Sequence, residues 1–459
     1  MKQAIKIFLF NSSLPEGKKP QDVLHYMGNS NPKFRGQNIG NTYISYGFIK
    51  FIFGSPVEVD HLSNAWDSPL TDELAEKINS EYSHFVFILQ DYIREDFDSL
   101  NNERFIKFLD KIDIPIVPIS LCVNSLNGFD LQFAEKINPA QIRFLAKLSE
   151  KSKSIGVRGN YSAEVLKALG IKNVKVVGCP SYFENGPFRT LNKKEWSPEK
   201  VVTTATYFNN NLPNTPHILQ DELYFINLLF LGGSALPDKS NITSRPYNID
   251  EIPTSLQLLL KAMRGQLEFF SDLNQWRDFY KKNDYCLTVG TRLHSGIFSI
   301  NSGVPAIVTN PDSRARETCE YLDIPYDTSI DTNSDIRKIY EELDLEKINK
   351  SYSQKYQIFF EYIQEHGLHA GEINIEKNLI NFPQMSKRET STVMPELYQA
   401  FTEFTKAIER EVITIETFGG EKVTRAKQFL RKLADKTPGL SAENYYRYLI
   451  QTFGKKIAS

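Results

Sequence analysis

The sequence of 459 residues lacks the features that mark disulfide-rich, secreted, membrane-spanning or nucleic-acid-binding proteins. Its four cysteines lie far apart and form no C-x-x-C pair, which disfavours a disulfide framework and a zinc ribbon. The N-terminal apolar segment is too short for a secretory signal, and the most apolar run, residues 223–233, falls short of the ~20 residues that a membrane span needs. The net charge of -2 lacks the basic excess of nucleic-acid-binding proteins. We therefore expect a cytoplasmic protein with buried, reduced cysteines and no nucleic-acid partner.

Short motifs of several common enzyme classes are also missing. The chain has no G-x-G-x-x-G, no P-loop, no G-x-S-x-G elbow and no protein-kinase set, which excludes the usual dinucleotide, nucleoside-triphosphate and hydrolase sites. His366 and His369 lie three residues apart without a cysteine or a clear carboxylate partner nearby. We therefore expect no metal site and no cofactor.

The sequence does contain a regular alternation of apolar runs with helical patterns. The near-continuous runs indicate buried parallel strands, and the segments between them indicate helices. One such helix is expected over residues 162–170, with Ser162 as its N-cap and Gly170 as the residue after its end. This pattern predicts an α/β fold with doubly wound sheets. The predicted strands cover residues 4–10, 84–89, 114–120, 154–158 and 173–178, then 201–208, 223–231, 285–290 and 305–310.

A polar stretch with glycine and prolines at residues 182–200 interrupts this alternation and predicts a linker. We expect one Rossmann-like domain over residues 1–190 and a second over residues 191–375, with a ligand cleft at the carboxyl ends of their sheets. Residues 376–459 are predicted to form a C-terminal helical extension. Within it, residues 421–459 carry nine basic and three acidic residues, a local net charge of +6.

The segment from Asp284 to Asn310 contains the strongest candidate for a reactive site. A predicted strand ends at Gly290, and Arg292 and His294 follow before the next helix. The arginine fork suits a carboxylate or phosphate, and imidazole exchanges protons near neutral pH. These residue types at a strand-to-helix turn are suited to bind an anion and to transfer a proton. The alternative interpretation is a structural histidine beside an ion-paired arginine.

Two further stretches place polar residues after predicted strands. Arg158 ends a strand of the first domain and would converge with Arg292 on one cleft, although a surface cation is the alternative. Asn38, Gly40 and Asn41 open a predicted helix, where the amides can bind sugar hydroxyls and the glycine permits close backbone approach.

A third stretch follows the predicted strand 305–310. Asp312 is expected to cap the next helix, and Arg314 lies beside it. Glu317, one turn later, could instead reach a ligand hydroxyl.

In this order, these stretches resemble the polysaccharide pyruvyltransferase family. The match covers roughly residues 36–325 and includes QNIGN, SIGVRGNYSAEVLKALG and TVGTRLHSGIFSINSGVP. Its most specific part is the Gly-x-Arg-Leu-His turn followed by a helix and Gly-x-Pro. The resemblance implies two Rossmann-like domains in a GT-B-like arrangement. It also implies transfer of pyruvate from phosphoenolpyruvate to a sugar of a cell-surface polysaccharide or its lipid-linked precursor, as a cyclic ketal.

Carried over to this sequence, the resemblance implies roles for individual residues. His294 would be the catalytic acid that protonates the enol carbon of the donor. The donor-binding set would be Arg158, Gly290, Arg292, Leu293 and Ser295. The acceptor-binding set would be Asn38, Gly40 and Asn41, with Asp312, Arg314 and Glu317 as further candidates. The reaction requires no metal, and phosphoenolpyruvate is a substrate rather than a cofactor.

Two positions depart from the family pattern. The first motif of the family usually reads Asn-x-Gly-Asp, and here Asn41 replaces the acid. After the strand 173–178, Cys179-Pro180 replaces the usual Asp-Pro. If either acid serves relatives as a base or acceptor ligand, this protein binds its acceptor differently or has changed its reaction.

Two other functions stay open on the sequence. One is a GT-B glycosyltransferase that uses a nucleotide sugar, because the two acids are missing and Glu317 could hold a sugar or ribose. The other is a non-catalytic scaffold in a polysaccharide-assembly complex. For residues 421–459 we hypothesise peripheral contact with the anionic inner face of the membrane, with a solvated helical face as the alternative.

Overall fold

The computed structural model describes residues 5–15, 39–52, 57–95, 99–230, 252–368 and 385–400, without residues 64, 66, 67, 127, 206, 210, 221 and 398. Strands and helices alternate along this part of the chain. The strands are β1 (Ile5–Phe10), β2 (Val57–Leu62), β3 (His84–Ile88), β4 (Ile93–Arg94), β5 (Ile116–Ile119), β6 (Val123–Asn124), β7 (Ile155–Val157), β8 (Val174–Val176), β9 (Val201–Thr204), β10 (His217–Ile218), β11 (Leu267–Glu268), β12 (Leu287–Gly290), β13 (Ala306–Thr309) and β14 (Tyr326–Asp327).

Helices alternate with these strands along the chain. They are α1 (Ile39–Ile52), α2 (Asp72–Glu81), α3 (Ser99–Asp110), α4 (Pro139–Lys151), α5 (Asn160–Ala168), α6 (Leu223–Phe230), α7 (Ile252–Met263), α8 (Leu273–Asn283), α9 (Leu293–Asn301), α10 (Ser313–Leu322), α11 (Ile336–Glu342) and α12 (Glu346–Glu365). Residues 390–397 are also helical.

The strands form two main parallel sheets. The first sheet has the order β2-β1-β3-β5, and the second has the order β11-β10-β9-β12-β13-β14. Two short parallel pairs, β4-β6 and β7-β8, accompany them. The expected α/β fold with parallel sheets is confirmed.

Alternation along the strands divides the first sheet between two hydrophobic clusters. Phe8 and Phe10 of β1 belong to one cluster, which also contains Phe105 of α3. Ile7 and Leu9 point the other way into a cluster shared with α1 and α12. Since successive side chains of a strand point to opposite faces, both faces of this sheet are buried, which explains its near-continuous apolar sequence.

The predicted strand at residues 223–231 is wrong, because Leu223–Phe230 is helix α6. Residues 225–230 are all buried, so the helix is buried on every side that the structure describes. A fully buried helix has no 3.6-residue periodicity, and an apolar run of this length fits a helix and a strand equally well.

Of the two predicted capping residues of α5, the one at the C-terminal end is confirmed and the one at the N-terminal end is wrong. Gly170 has a φ of 84° just beyond the helix end, as the sequence predicted. The N-cap is Gly159 rather than Ser162, and Ser162 lies inside the first turn. Its hydroxyl is engaged by a residue of the second half of the chain, as described below.

Helix α12 returns from the second half of the chain to the first. Tyr352 donates a hydrogen bond from its hydroxyl to the carbonyl of Gly186. In the sequence, Gly186 lies after the strands of the first sheet and before those of the second. Ten residues later, Tyr362 donates to the carbonyl of Pro118 in β5 at 2.5 Å. The helix thus contacts both halves.

Other predicted features have mixed outcomes. Cys122, Cys179, Cys286 and Cys319 are all buried and free, as expected. Among the described helices, none has the length and hydropathy that a membrane crossing requires. Within the extension, the guanidinium of Arg388 donates to the carbonyl of Leu228 in α6. The basic stretch 421–459 lies outside the described residues.

Candidate active site

A polar cleft of about 540 Å³ lies at the carboxyl ends of the strands. Residues that follow strands of both sheets line it, together with the first turns of α1, α9 and α10. From the first half of the chain come Asn41, Gln90, Asp91 and Arg158, and from the second half come Gln220, Thr291, Arg292, Leu293, His294, Asp312, Arg314 and Ala315. The carboxyl edge of parallel sheets is where open α/β folds bind their ligands.

Non-glycine residues with left-handed backbone collect at this edge. Six of them directly follow strands of the two main sheets or come shortly after: Asn11, Ser13, Gln90, Ser120, Ala205 and Asn310. A side chain makes this conformation unfavourable by about 1 kcal/mol or more, so it persists only where the surroundings enforce it. Its concentration beside the cleft agrees with a functional site there.

Arg158 is a buried cation with an incomplete set of partners. It follows β7 and is only 5% exposed. Its Nε donates to Ser120 Oγ at 2.9 Å, whereas its Nη2 is buried without a hydrogen-bond partner among the described residues. Within the described chain, no carboxylate lies within ion-pair distance of this guanidinium. Burying a charge without compensation is costly, so the position is suited to an anionic ligand.

The turn between β12 and α9 brings four cleft residues together, residues 291–294. Gly290 is required by packing, because a Cβ there would lie 2.1 Å from Thr204 Oγ1 on β9. Arg292 occupies the N-cap position of α9, where the helix N-terminus adds positive potential. Leu293 and His294 follow it into the cleft.

His294 carries the strongest electrostatic perturbation of the cleft. Burial lowers the pKa of its imidazole well below the ordinary value, and repulsion from Arg158, Arg314 and Arg292 lowers it further. Its Nε2 lies 3.6 Å from Cys179 Sγ. In this cationic setting the ring is neutral at pH 7. An anion bound beside the arginines would cancel the repulsion and raise this pKa.

Arg314 is neutralised by carboxylates from both halves of the chain. Its Nη1 donates to Asp91 Oδ2 at 2.5 Å, and its Nη2 donates to Asp312 Oδ2 at 2.5 Å. Asp312 also caps α10, because its Oδ1 accepts from the backbone N–H of Ala315 at 2.9 Å. The predicted capping role of Asp312 is confirmed.

Glu317 lies behind the cleft rather than in it. It is 2% exposed, and its carboxylate accepts from both the backbone N–H and the hydroxyl of Ser162. Burial raises its pKa to about 7, while the Ser162 hydrogen bonds and Arg158 act in the opposite direction. The carboxylate is occupied in joining α10 to α5, which leaves it no contact with a ligand in the cleft.

The structure brings most of the predicted site residues to one place. Seven of them line the cleft: Asn41, Arg158, Arg292, Leu293, His294, Asp312 and Arg314. Gly40 lies in α1 next to Asn41, and Gly290 lies in β12 next to the turn. Ser295 is buried behind the cleft and accepts from Gln220 Nε2. Asn38 lies outside the described residues.

Sequence reasoning missed three polar residues of the cleft, Gln90, Asp91 and Gln220. The tetrapeptide Ile-Leu-Gln-Asp that contains both glutamines occurs twice, at residues 88–91 and 218–221. The first copy ends an apolar run, so the repeated tetrapeptide is the pattern that would have found them. Among the described residues no cluster of three or more metal-ligating side chains occurs.

Fold and site together define an α/β protein with a cleft that contains three arginines and a titratable histidine. The family model of polysaccharide pyruvyl transferases matches residues 38–313, more than half of the chain. The chain therefore belongs to the polysaccharide pyruvyl transferase family, and the resemblance read from the sequence is confirmed. Members of this family are transferases, which confirms the expectation of an enzyme.

Comparison with solved structures finds distant likenesses. Anabaena Alr3699/HepE in complex with UDP and glucose is 11% identical with a TM-score of 0.36, over 81% of this chain and 98% of that one. The same protein with UDP is 12% identical with a TM-score of 0.33, over the same shares. Glycyrrhiza uralensis UGT73P12, complexed with glycyrrhetinic acid 3-O-monoglucuronide, is 8% identical with a TM-score of 0.31, over 90% of this chain and 100% of that one. No curated protein sequence matches.

Proposed function

We propose that this protein transfers pyruvate from phosphoenolpyruvate to a sugar of a cell-surface polysaccharide or of its lipid-linked precursor, forming a cyclic ketal. The observation that carries the proposal is the buried guanidinium of Arg158 at the wall of the cleft, whose Nη2 has no hydrogen-bond partner among the described residues. Membership of the family supports pyruvyl transfer to a polysaccharide. The donor, a small molecule with a phosphate and a carboxylate, supplies the anionic groups that the arginine cluster needs.

The residues of the cleft can divide the chemistry between them. Arg158 and Arg292 bind the phosphate and the carboxylate of the donor, and this negative charge raises the pKa of His294. The imidazolium then gives its proton to the methylene carbon, which leaves a cationic carbon for a sugar hydroxyl to attack. The same arginines stabilise the phosphate as it leaves. Donor binding thus prepares the acid that acts on the donor.

The glycosyltransferase alternative loses one of its two supports. It relied on the two missing acids and on Glu317 as a ligand for a sugar or ribose, and the Glu317 carboxylate is held by Ser162 behind the cleft. In addition, no aromatic ring on which a nucleobase would stack is found among the described cleft residues. Both facts favour phosphoenolpyruvate over a nucleotide sugar.

For the architecture, we propose two Rossmann-like domains over residues 1–190 and 191–375 in a GT-B-like arrangement. Two separate parallel sheets that present their carboxyl ends to one cleft support this.

Residues 376–459 would form a helical extension, and residues 421–459 would contact the anionic inner face of the membrane, where lipid-linked acceptors reside. Liposome cosedimentation of the whole protein and of a variant that ends at residue 420 tests this contact. Equal sedimentation would contradict it.

Thermal denaturation with candidate donors tests the proposed reaction. Phosphoenolpyruvate is expected to raise the melting temperature of the protein, and UDP-glucose is not, because only a ligand that binds the folded state stabilises it. Release of phosphate in the presence of a sugar acceptor is expected to disappear in His294→Ala. Stabilisation by the nucleotide sugar alone would favour the glycosyltransferase. Unchanged phosphate release in His294→Ala would exclude this residue as the acid.

Arg158→Gln gives a more specific test of the donor site. Glutamine can keep the hydrogen bond to Ser120, but it removes a buried charge that has no carboxylate partner among the described residues. We expect phosphoenolpyruvate to bind about 10- to 100-fold more weakly. Without ligand, the free energy of unfolding should rise or stay unchanged, because the buried charge is gone. Arg143→Gln, which removes an exposed ion pair with Glu103, is the control and should change neither quantity.

A further inference from the structure

The repeated tetrapeptide Ile-Leu-Gln-Asp places one glutamine from each sheet in the cleft. The first copy, residues 88–91, ends β3 of the first sheet, and the second, residues 218–221, ends β10 of the second sheet. Gln90 and Gln220 both line the same cleft although the strands before them belong to different sheets. Two identical side chains thus approach one ligand site from both halves of the chain.

Each glutamine is fixed by a serine. Gln90 Nε2 donates to Ser13 Oγ at 3.1 Å, and Gln220 Nε2 donates to Ser295 Oγ. The two glutamines are 8% and 1% exposed, and Gln90 also has a left-handed φ of 52°. One hydrogen of each amide nitrogen is donated to the serine, and no described residue donates to the carbonyl oxygen Oε1, so this oxygen is an acceptor that each side chain can offer to the cleft.

Carbonyl oxygens accept hydrogen bonds, so they select hydroxyl groups and disfavour the anionic groups of the donor. We infer that Gln90 and Gln220 hold the two hydroxyls of a sugar diol, and that Asp91 is the base that takes the proton of the hydroxyl bound at Gln90. This inference rests on the proposed pyruvyl transfer, whose cyclic product needs two hydroxyls of one acceptor. It also assigns an acceptor site to a chain that has Asn41 and Cys179 where its family usually has acids.

Asp91 and Asp312 are the two carboxylates of the described cleft, and they differ in what they already bind. Both oxygens of Asp312 accept hydrogen bonds, one from Ala315 N–H and one from the Arg314 guanidinium. Asp91 uses Oδ2 for Arg314 and for an ion pair with Arg94 at 3.6 Å, and its Oδ1 accepts no hydrogen bond from a described residue. Asp91 also follows Gln90 directly in the chain. It is therefore the carboxylate placed to receive a proton from a hydroxyl bound at Gln90.

The proton balance of the reaction agrees with this division of roles. His294 gives one proton to the methylene carbon of phosphoenolpyruvate. One hydroxyl oxygen then bonds to the central carbon of the donor, and its proton goes to Asp91, which can return it to His294 through solvent. The second hydroxyl oxygen bonds to the same carbon as the bond to phosphate breaks, and its proton leaves with the phosphate. The products are one ketal and one phosphate.

Binding of simple sugars to the full-length protein tests the glutamine pair. The probes are the methyl glycosides of glucose, galactose, mannose and N-acetylmannosamine, measured by saturation-transfer NMR with phosphoenolpyruvate present. At least one glycoside is expected to bind, and its analogue lacking one hydroxyl of the pair should bind about tenfold more weakly. Gln90→Met and Gln220→Met should each weaken binding of the intact glycoside by about the same factor of ten. Stabilisation by phosphoenolpyruvate should stay as in the wild type.

Gln141→Met is the matched control, because Gln141 is fully buried in α4, donates to the carbonyl of Tyr92 and does not line the cleft. Wild-type glycoside binding in either cleft variant, or no binding of any glycoside to the wild type, would overturn the inference. Loss of sugar binding without any stabilisation by phosphoenolpyruvate would retain the inference and reject the proposed donor.

Asp91→Asn tests proton transfer to Asp91 separately from binding of the sugar by the two glutamines. The asparagine oxygen can still accept from Arg314, so glycoside binding should remain at wild-type strength, and binding of the anionic donor should not weaken because a negative charge is removed from the cleft. Phosphate release should fall about 100-fold or more, as expected when a general base is removed. Release at the wild-type rate in Asp91→Asn would show that another group takes the proton.

Discussion

The protonation state of His294 is set by the charges around it. Burial and three arginines hold the pKa of the imidazole well below its ordinary value, and its Nε2 lies 3.6 Å from the thiol of Cys179. A histidine that must act as an acid needs a compensating negative charge. In this chain the donor is the proposed source of that charge, because the family's usual acid is absent at position 179.

Cys179→Asp tests this dependence. A carboxylate at 179 would stabilise the imidazolium and raise the pKa of His294. Since the protonated ring is the active form, activity that falls as the pH rises past this pKa should persist to higher pH in the variant. The measurement is the pH profile of phosphate release at saturating phosphoenolpyruvate, with the alkaline midpoint expected to move upward.

Cys179→Asn is the control for the size and polarity of the new side chain. It carries no charge, so its alkaline midpoint should coincide with that of the wild type. If the aspartate and asparagine variants share one midpoint, His294 does not limit activity at alkaline pH.

At the level of elements, the junction of α5 and α10 fixes the distance between Arg158 and Arg314. Glu317 of α10 accepts two hydrogen bonds from Ser162 in the first turn of α5. Gly159 allows this contact, because a Cβ there would lie 2.8 Å from Glu317 Oε2. Ser162 thereby holds the carboxylate that could otherwise have paired with Arg158, which keeps the Arg158 charge available to a ligand.

Glu317→Gln should change how stability depends on pH. The pKa of Glu317 is about 7 in the fold, against an ordinary 4.5, so the folded state holds the proton more tightly than the unfolded state. The wild type therefore loses stability between pH 4.5 and 7, by about 3 kcal/mol at 1.36 kcal/mol per pKa unit. Glutamine accepts from the Ser162 N–H and donates to its hydroxyl without this loss. The variant should therefore have a higher free energy of unfolding than the wild type at pH 8, and this difference should vanish near pH 4.5.

Glu320→Gln in the same helix is the matched control. Glu320 is exposed and pairs with Arg316, so its replacement should change stability little at any pH. Urea unfolding of the three proteins from pH 4.5 to 8 gives the comparison. A constant difference between Glu317→Gln and the wild type would contradict the raised pKa.

The sequence predicts those elements whose pattern is local. Buried parallel strands such as β3 and β12 appear as short apolar runs, and Arg158 and His294 stand out because they follow such runs directly. Helix α6 could not be told from a strand, since only tertiary packing decides how an apolar run of eight residues folds. The role of Glu317 was equally hidden, because its partner Ser162 lies 155 residues away in the chain.

At the scale of the whole molecule, the two sheets share one hydrophobic core. A single cluster includes Leu9 and Val86 from the first sheet and Val202 and Val308 from the second. Helix α12 belongs to the same cluster through Tyr352, Phe359 and Tyr362. The cleft is therefore formed between sheets that a common core holds together, so its geometry depends on contacts remote from it.

Tyr362→Phe tests whether this core makes the two sheets unfold as one unit. The hydroxyl of Tyr362 is buried against the carbonyl of Pro118 in the first sheet, and its removal should cost about 1–2 kcal/mol. Because the cluster is continuous, hydrogen exchange should accelerate by the same factor in peptides from β1 and β3 and in peptides from β12 and β13. Tyr326→Phe, whose hydroxyl donates to exposed Glu320, is the control and should leave both sets unchanged. Acceleration confined to the first sheet would mean that the two halves unfold separately, as independent domains would.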